Sequence, residues 1–256
     1  LVGHEPCDGP GGKAEVAAAT MGGMTMPQQL QGRLRLPIIA APMFLGSGLD
    51  LVIGTCRAGV VGTFPSLNLR TTEDLDAWLT TITDQLEPDD APFAGNLIVH
   101  SSNGRIRDDL AVLARHRVPI VITSLGAAAE VVDAVHGWGG VVLHDVINNV
   151  FAHKAIEKGA DGLIPVAAGA GGHASAKSPF AMVQEIREWF DGPVALSGAI
   201  ASGGAILAAQ AMGADFAYIG SAFIATDEAR AVDGYKQMIV ESDSDDIVYS
   251  NFYTGI

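Results

Sequence analysis

Eight short apolar runs alternate with helical patterns from Leu36 onward, and this alternation constrains the fold more than any other feature. Strands that alternate with helices are typical of parallel sheets, because each parallel connection needs a long crossover. Eight such units in about 220 residues predict an α/β fold, the (β/α)8 or TIM barrel. The predicted strands are Pro37–Ala41, Val60–Phe64, Gly95–His100, Pro119–Ser124, Gly140–Asp145, Gly162–Ala167, Pro193–Gly198 and Phe216–Ser221.

A doubly wound open sheet is the alternative. Such a sheet often carries Gly-x-Gly-x-x-Gly after its first strand. Here the segment from Ala41 to Gly48 reads Ala-Pro-Met-Phe-Leu-Gly-Ser-Gly, which lacks that spacing. The barrel is therefore the favoured prediction.

Local signals predict where several helices begin and end. Thr72 is a candidate N-cap, and Ser178-Pro179 has the N-cap and first-turn proline of a helix start. Glycine in Gly159-Ala-Asp161 and again in Gly213-Ala-Asp215 is expected to adopt the left-handed conformation that ends a helix. The last helix is predicted near Ala229–Val240.

Composition narrows the function classes. The formal net charge is −14, which argues against nucleic acid or an anionic membrane as a partner. A charged content of 17% with 31 glycines suits a buried parallel sheet with tight turns. The two cysteines, Cys7 and Cys56, form no disulfide framework and indicate free thiols in a reducing cytoplasm. No apolar run reaches the length of a membrane span.

Residues 1–26 differ from the rest of the chain. They are rich in Gly, Ala and Met without a usable period, so we expect a disordered extension. Residues 27–256 are then a single barrel domain. The sequence ends soon after the predicted last helix, and we expect the domain to continue beyond residue 256.

Small residues end three successive predicted strands. Gly169-Ala-Gly-Gly-His173 follows strand 6, Ser197-Gly-Ala199 ends strand 7, and Gly220-Ser221 ends strand 8. In barrels of this type the loops after strands 7 and 8 often bind phosphate, through main-chain N–H groups that small residues leave accessible. His173, one loop earlier, is the first candidate for acid–base chemistry.

Other histidines also fall near strand ends. His100, His144 and His173 together would suit a metal, but barrels that bind metals usually carry His-x-His, which is absent here. We therefore predict no metal. His144-Asp145 is expected to face the barrel mouth, where His144 either orients loops or contacts substrate. His153 lies in a predicted helix and is interpreted as structural.

Two further polar or reactive residues lie in apolar surroundings. Asn96 in an apolar strand needs a hydrogen-bond partner, either a heteroaromatic ligand in the mouth or a neighbouring strand. Cys56 lies in a helix whose apolar setting should raise the pKa of its thiol, so we do not expect a nucleophile.

From Pro37 to at least Thr226 the chain resembles the nitronate monooxygenases, also called 2-nitropropane dioxygenases. The resemblance rests on Pro37-Ile-Ile-Ala-Ala-Pro-Met43, Gly95-Asn-Leu97, Ala170-Gly-Gly-His173, Leu196-Ser-Gly-Ala-Ile200, and Met212-Gly-Ala-Asp215 with Ile219-Gly-Ser-Ala-Phe223.

The resemblance implies an FMN-binding TIM barrel with His173 as the catalytic base. It places Asp145 beside the flavin, where many members carry Lys, and an acidic group there would oppose an anionic reduced flavin. It also implies a set of flavin-contacting residues along the ring and around the phosphate: Pro42, Met43, Phe44, Asn96, Ile98, Gly171, Gly172, Ser197, Gly198, Ala199, Gly220 and Ser221.

The activity that the resemblance implies is oxidation of alkyl nitronates or nitroalkanes by O2 to a carbonyl compound and nitrite. Similar barrels with the same Gly-His loop are NAD(P)H-dependent reductases of the enoyl-acyl-carrier-protein or quinone type, which is the alternative. A barrel that binds a phosphorylated ligand without flavin, as an isomerase or binding protein, is a third hypothesis. The sequence leaves the oligomeric state open.

Overall fold

In the computed structural model, which describes residues 27–250 and 252, eight parallel strands form a closed barrel. The strands β1 to β8 are Ile38–Ala40, Gly62–Pro65, Phe93–Ile98, Ile120–Ser124, Val141–Val146, Gly162–Pro165, Ala195–Ser197 and Phe216–Ile219. Hydrogen-bonded ladders join β2 through β6 in order, and β1, β8 and β7 in a second group. Single bridges between Ile39 and Val61 and between Val166 and Ser197 join the two groups at both sides. This closure confirms the TIM barrel and rules out the open sheet.

Helices follow the strands and form the outer layer. In the second helix, Leu75, Leu79 and Ile82 recur at helical spacing and are buried. Its N-cap is Thr71, whose side chain accepts a hydrogen bond from the Asp74 N–H, so the predicted Thr72 was wrong by one residue. Within the described residues, helices α1 to α9 span Leu49–Arg57, Thr72–Gln85, Ile106–Arg115, Ala129–Gly137, Asn149–Glu157, Pro179–Arg187, Gly203–Ala211, Ser221–Ile224 and Asp233–Glu241.

The barrel strands bury both of their faces. One apolar cluster fills the barrel and includes Ile39, Ile122 and Leu143. Leu30, from a 3-10 turn at Gln28–Leu30, packs into this inner cluster and is fully buried. A larger cluster lies between the strands and the helices, and Cys56 belongs to it. Burial raises the pKa of the Cys56 thiol to about 12, which agrees with the prediction that it is not a nucleophile.

Several local predictions are confirmed by the backbone. Gly159 and Gly213 have φ angles of +92° and +109° at the ends of α5 and α7. Ser178 is the N-cap residue of α6 and Pro179 its first residue, although the Ser178 side chain makes no capping hydrogen bond.

The last helix begins later than predicted. It starts at Asp233 rather than near Ala229, because the preceding residues are tied to the barrel. The Arg230 N–H donates to the Gly46 carbonyl at 2.9 Å, and the Arg230 guanidinium lies over the Trp78 ring. The expectations for residues 1–26 and for Cys7 lie outside the described residues. Within 27–250 and 252, no helix has the length and apolar character that crossing a membrane requires.

Candidate active site at the barrel mouth

Every candidate site residue falls at the carboxyl end of a strand or in the loop that follows it. Because all eight strands are parallel, these ends meet at one rim of the barrel. The topology therefore brings together Pro42, Met43 and Phe44 after β1, Asn96 and Ile98 on β3, Asp145 on β5, Gly171, Gly172 and His173 after β6, Ser197, Gly198 and Ala199 at the end of β7, and Gly220 and Ser221 after β8.

The loops after β6, β7 and β8 contact one another closely. The Ala199 N–H donates to the Gly169 carbonyl at 2.9 Å, and a Cβ on Gly169 would lie 2.7 Å from the Ala199 Cβ. Gly198, with φ +144°, could carry no side chain without meeting the Ala168 carbonyl. A Cβ on Gly171 would lie 3.8 Å from the Ser221 Oγ. Glycine is thus required at Gly169 and Gly198 for this close approach.

Open space lies over the backbone next to these contacts. Nothing lies within 4 Å of a Cβ built at Gly172 or Gly203. Gly203 opens α7, and the first amides of a helix have no acceptor within the helix. The Ser202 side chain accepts a hydrogen bond from one of these amides, the N–H of Ala205. Main-chain N–H groups beside small residues suit an anion such as phosphate.

The conformation of Ala199 is also unusual. Its φ of +52° is uncommon for a residue with a side chain. Leu45 and Leu125, each with φ +62°, are two further left-handed residues, and both lie in loops after strands. Such conformations cost free energy and persist where surrounding contacts enforce them, commonly at functional sites.

His173 lies on the loop after β6 with its side chain exposed. Electrostatic interaction with Asp145 on β5 places these two side chains on the same opening of the barrel. An imidazole at this position is accessible to a small molecule.

Asp145 points into the barrel, where its surroundings favour the neutral acid. Desolvation raises the pKa of its carboxyl group to about 6, although hydrogen bonds from the Ser124 side chain and the Leu125 N–H lower it. The charge of His173 acts in the same lowering direction. Tyr218, on β8, is half-buried, and desolvation of its hydroxyl together with the nearby Asp145 raises its pKa well above the usual value. The opening thus holds a carboxyl group that is mainly neutral below pH 6.

Asn96 is 4% exposed and bonds to the neighbouring strand. Its amide donates to the Ile122 carbonyl at 3.0 Å and to the Ser124 Oγ at 2.8 Å. Of the two partners considered for Asn96, the neighbouring strand is therefore the one observed. Since Ser124 also bonds Asp145, a polar chain runs across β3, β4 and β5 inside the barrel.

His144 does not face the mouth, so this expectation was wrong. Successive side chains of a strand point to opposite faces. Leu143 belongs to the inner cluster, which puts Asp145 inside the barrel and His144 outside it, on the face of Val142. His144 is 5% exposed, its Nδ1 lies 2.7 Å from the Thr123 Oγ1, and burial lowers its pKa to about 4. It is a neutral residue of the outer packing layer.

The other histidines are accounted for locally. His100 is exposed and its Nδ1 lies 2.8 Å from the Ser102 Oγ. His153 stacks on Trp189 with ring centroids 3.8 Å apart, in the helical layer, as the structural interpretation predicted. In the described part of the chain, no three His, Cys, Asp or Glu side chains are grouped so that they could hold a metal ion.

Two tyrosines at this end were not predicted. Tyr218 follows Phe216 at strand spacing, and a polar group in an apolar strand was a signal equivalent to that of Asn96. Tyr249 lies far along the chain, yet its hydroxyl accepts a hydrogen bond from the Gly169 N–H at 2.6 Å. No local pattern could have predicted the second contact.

Comparison with known proteins agrees with this arrangement. The family model described as nitronate monooxygenase matches residues 97–255, more than half of the chain. The chain belongs to the nitronate monooxygenase family. The match includes the strand that carries Asp145 and the loop of His173.

Curated relatives are distant and longer. A (3aS,4S,5R,7aS)-5-hydroxy-7a-methyl-1-oxo-octahydro-1H-indene-4-carboxyl-CoA dehydrogenase of Rhodococcus jostii is 27% identical over 223 residues, 86% of this chain. A nitronate monooxygenase of Neurospora crassa is 28% identical over 142 residues, 51% of this chain. The aligned parts cover 61% and 38% of those two relatives, respectively.

Solved structures share the architecture. FabK from Thermotoga maritima superposes with a TM-score of 0.79 at 24% identity, over 86% of this chain and 69% of that one. A nitroalkane oxidase from Streptomyces ansochromogenes superposes with a TM-score of 0.74 at 26% identity, over 82% and 72%. At such identities the likeness to FabK supports the fold alone.

Proposed function

We propose that this protein is an FMN-dependent oxidoreductase that converts alkyl nitronates and O2 to a carbonyl compound and nitrite. The observation that carries the proposal is the contact of the His173 loop with the β7 and β8 loops. Through Gly169 with Ala199 and Gly171 with Ser221, an accessible imidazole stands beside backbone suited to phosphate. A cofactor anchored there would extend toward the barrel opening, where substrate meets it.

The residues present fit the phosphate of FMN. Gly198, Gly220 and Ser221 would hold it through main-chain N–H groups, and the open backbone at Gly203 leaves room. The N–H of Ala199 already donates to the Gly169 carbonyl, so Ala199 would line the phosphate site rather than donate to it. The atoms nearest to a Cβ built on Gly220 are those of Ala41 and Met43, at 3.6 and 3.9 Å, which are ordinary contacts. When bound, FMN would supply electron transfer between the nitronate and O2.

The ring would lie between the loop after β1 and the inner face of β3. Pro42 and Met43 are half-buried there, Phe44 is 69% exposed, and Ile98 is half-buried at the end of its strand. Apolar side chains on these sides would exclude water from the ring. Asn96 would contact the ring edge from within the polar chain that it forms with Ser124.

His173 would accept the α-proton of a neutral nitroalkane, which gives the nitronate. With a preformed nitronate the same imidazole would hold the negative oxygen by a hydrogen bond. Both tasks suit an imidazole, because its ring nitrogens can accept or donate a proton. Asp145 would be ionised above about pH 6, and its negative charge would then disfavour further negative charge on a cofactor bound beside it.

A flavin-dependent reductase is the second candidate, and it is favoured by signs of a substrate larger than a nitronate. The Rhodococcus jostii relative, which aligns over 86% of this chain against 51% for the Neurospora crassa relative, is named a dehydrogenase of an indene-carboxyl-CoA, a larger molecule than a short nitronate. The exposed Phe44 and Leu45 at the rim would accommodate a larger apolar substrate than a short nitronate.

Anaerobic mixing of the purified protein with ethyl- or propyl-nitronate, and separately with NADH, tests the proposal. We expect the protein to be yellow, to release FMN on heating, and to be bleached by nitronate but slowly or not at all by NADH. Fast bleaching by NADH without a response to nitronate would establish the reductase instead. A colourless protein that binds no added FMN would support a barrel that uses no flavin.

A further inference from the structure

Asn68 holds the loop after β1 through three hydrogen bonds. Its amide nitrogen donates to the Met43 carbonyl at 3.2 Å and to the Ser47 carbonyl at 3.0 Å. Its amide oxygen accepts from the Leu45 N–H at 2.9 Å. Asn68 comes from the 3-10 turn after β2, so one side chain ties two successive loops of the barrel mouth together.

The loop has few other means of holding its shape. Phe44 and Leu45 are 69% and 63% exposed, so their side chains add little packing. Leu45 is left-handed, with φ +62°, which costs free energy unless neighbouring contacts enforce it. Within the loop, the Met43 N–H donates to the Ser47 Oγ and the Ser47 N–H to the Met43 carbonyl. The contacts of Asn68 complete this turn from outside.

The same turn reaches the β8 side of the mouth. Met43 Cγ and Sδ lie 3.9 Å from the position of a Cβ on Gly220. The carbonyl of Gly46 accepts from the Arg230 N–H beyond α8. The turn thus spans the opening between the β2 loop and the strand end that would carry phosphate.

We propose that Asn68 is a positioning residue, which fixes the Met43–Ser47 turn beside Gly220 so that this turn forms one wall of the flavin pocket. The proposal rests on the proposed function for the identity of the ligand. Asn68 touches neither the ring nor the substrate and acts through Met43 and Leu45. Its loss would therefore release the wall locally, while the barrel strands, which do not depend on its side chain, remain folded.

The test uses Asn68→Ala in the full chain, with Thr71→Ala as the matched control. Thr71 lies three residues on and caps α2 through Asp74, so its loss costs stability without reaching the turn. Each apoprotein is titrated with FMN by quenching of flavin fluorescence, and the absorption spectrum of bound FMN is recorded. Hydrogen exchange at the Leu45 amide reports on the turn without flavin.

We expect Asn68→Ala to weaken FMN binding about tenfold or more, which corresponds to the loss of one or two net hydrogen bonds. The bound flavin spectrum should shift and the Leu45 amide should exchange faster, while Thr71→Ala leaves all three unchanged. Parent-like affinity, spectrum and exchange in Asn68→Ala would overturn the proposal. An equal effect of Thr71→Ala would overturn it too, because the effect would then be one of general stability.

Asn68→Asp is the second variant, used if Asn68→Ala does not fold. It keeps the acceptor for Leu45 but turns an oxygen toward both carbonyls. Asn68→Asp should weaken FMN binding, because the two carbonyls lose their donor. The Leu45 amide should stay partly protected from hydrogen exchange, because its acceptor is kept. Parent-like affinity for FMN would again overturn the proposal. If the parent itself binds no FMN, the proposed function fails. Exchange at Leu45 then decides the anchoring alone: unchanged exchange refutes it.

Discussion

Replacing Asp145 with Asn should change how stability depends on pH. The pKa of this carboxyl group is about 6 in the folded protein against 3.8 for an ordinary Asp, so the fold favours its protonated form. Folding therefore becomes less favourable as the pH rises from about 4 to 6, because an ionised Asp145 must be accommodated in a poorly solvated site. The side-chain amide of the Asp145→Asn variant carries no charge at any pH, so the variant should not show this loss.

The magnitude follows from the shift. One pKa unit corresponds to 1.36 kcal/mol, so a shift from 3.8 to about 6 corresponds to about 3 kcal/mol at full ionisation. Since part of the titration in the unfolded chain is complete at pH 4, the difference between pH 4 and pH 7 is about 2 to 3 kcal/mol. Asp145 is only half-buried, so solvent screening makes this an upper value.

The assay is urea unfolding of FMN-free parent and Asp145→Asn at several pH values between 4 and 7. The variant also alters the hydrogen bonds with Ser124 and Leu125, which changes the free energy of unfolding by the same amount at every pH. Only the difference between the slopes of unfolding free energy against pH therefore tests the prediction. Asp76→Asn is the control. Hydrogen bonds from His116 and Arg115 lower the pKa of Asp76 below its ordinary value of 3.8, so its contribution to stability is lost only below that pH. This variant should therefore keep the parent's slope between pH 4 and 7. Parallel curves for parent and Asp145→Asn would refute the reasoning.

Four further predictions concern the site and the core. In the flavin-loaded protein, Asp145→Lys should raise the reduction potential of bound FMN, because a positive charge stabilises an anionic reduced flavin; potentiometric titration measures this, and an unchanged or lower potential contradicts it. His173→Ala should keep FMN but slow turnover of neutral nitroalkanes by about a hundredfold in steady-state assays, with a smaller loss of rate on preformed nitronate. The control is His100→Ala, at an exposed residue, which should turn over both substrates at the parent's rate. Gly220→Leu should lose FMN with circular dichroism intact, while Gly220→Ala, whose Cβ meets only ordinary contacts, should retain it; full FMN in the Leu variant would move the phosphate site elsewhere. Leu30→Ala should lower the free energy of urea unfolding by about 3 kcal/mol, because Leu30 is fully buried and its loss leaves a cavity in the inner cluster; an unchanged free energy of unfolding contradicts this.

The barrel, and the end of it at which the candidate site residues lie, could be predicted from the sequence because their signals are local. Apolar runs of strand length, helical spacing at Leu75, Leu79 and Ile82, and glycines such as Gly159 that end helices each involve neighbouring residues. Parallel strands then place all their carboxyl ends at one rim. The loops of His173 and Ala199 meet there for that reason, whatever the details of packing.

The face of each strand that looks inward could not be predicted in the same way. An ordinary half-buried strand shows it by alternation of polar and apolar residues, but a barrel strand buries both faces. Val141–Val146 reads as apolar on either side, so His144 and Asp145 were equally plausible at the mouth. Only the packing of Leu143 inside the barrel assigns Asp145 to the opening and His144 to the outer layer.

The sequence by itself therefore determined the order of strands and helices, the glycines that allow close approach, and the rim at which the candidate site residues meet. Tertiary structure alone decided the pairing of Asn96 with Ser124, the raised pKa of Asp145 and the hold of Asn68 on Leu45. The physical reason is the separation along the chain of the residues that interact. Strand and helix signals repeat over a few residues, whereas a hydrogen bond or a desolvated carboxyl group depends on which distant residues the closed barrel brings together.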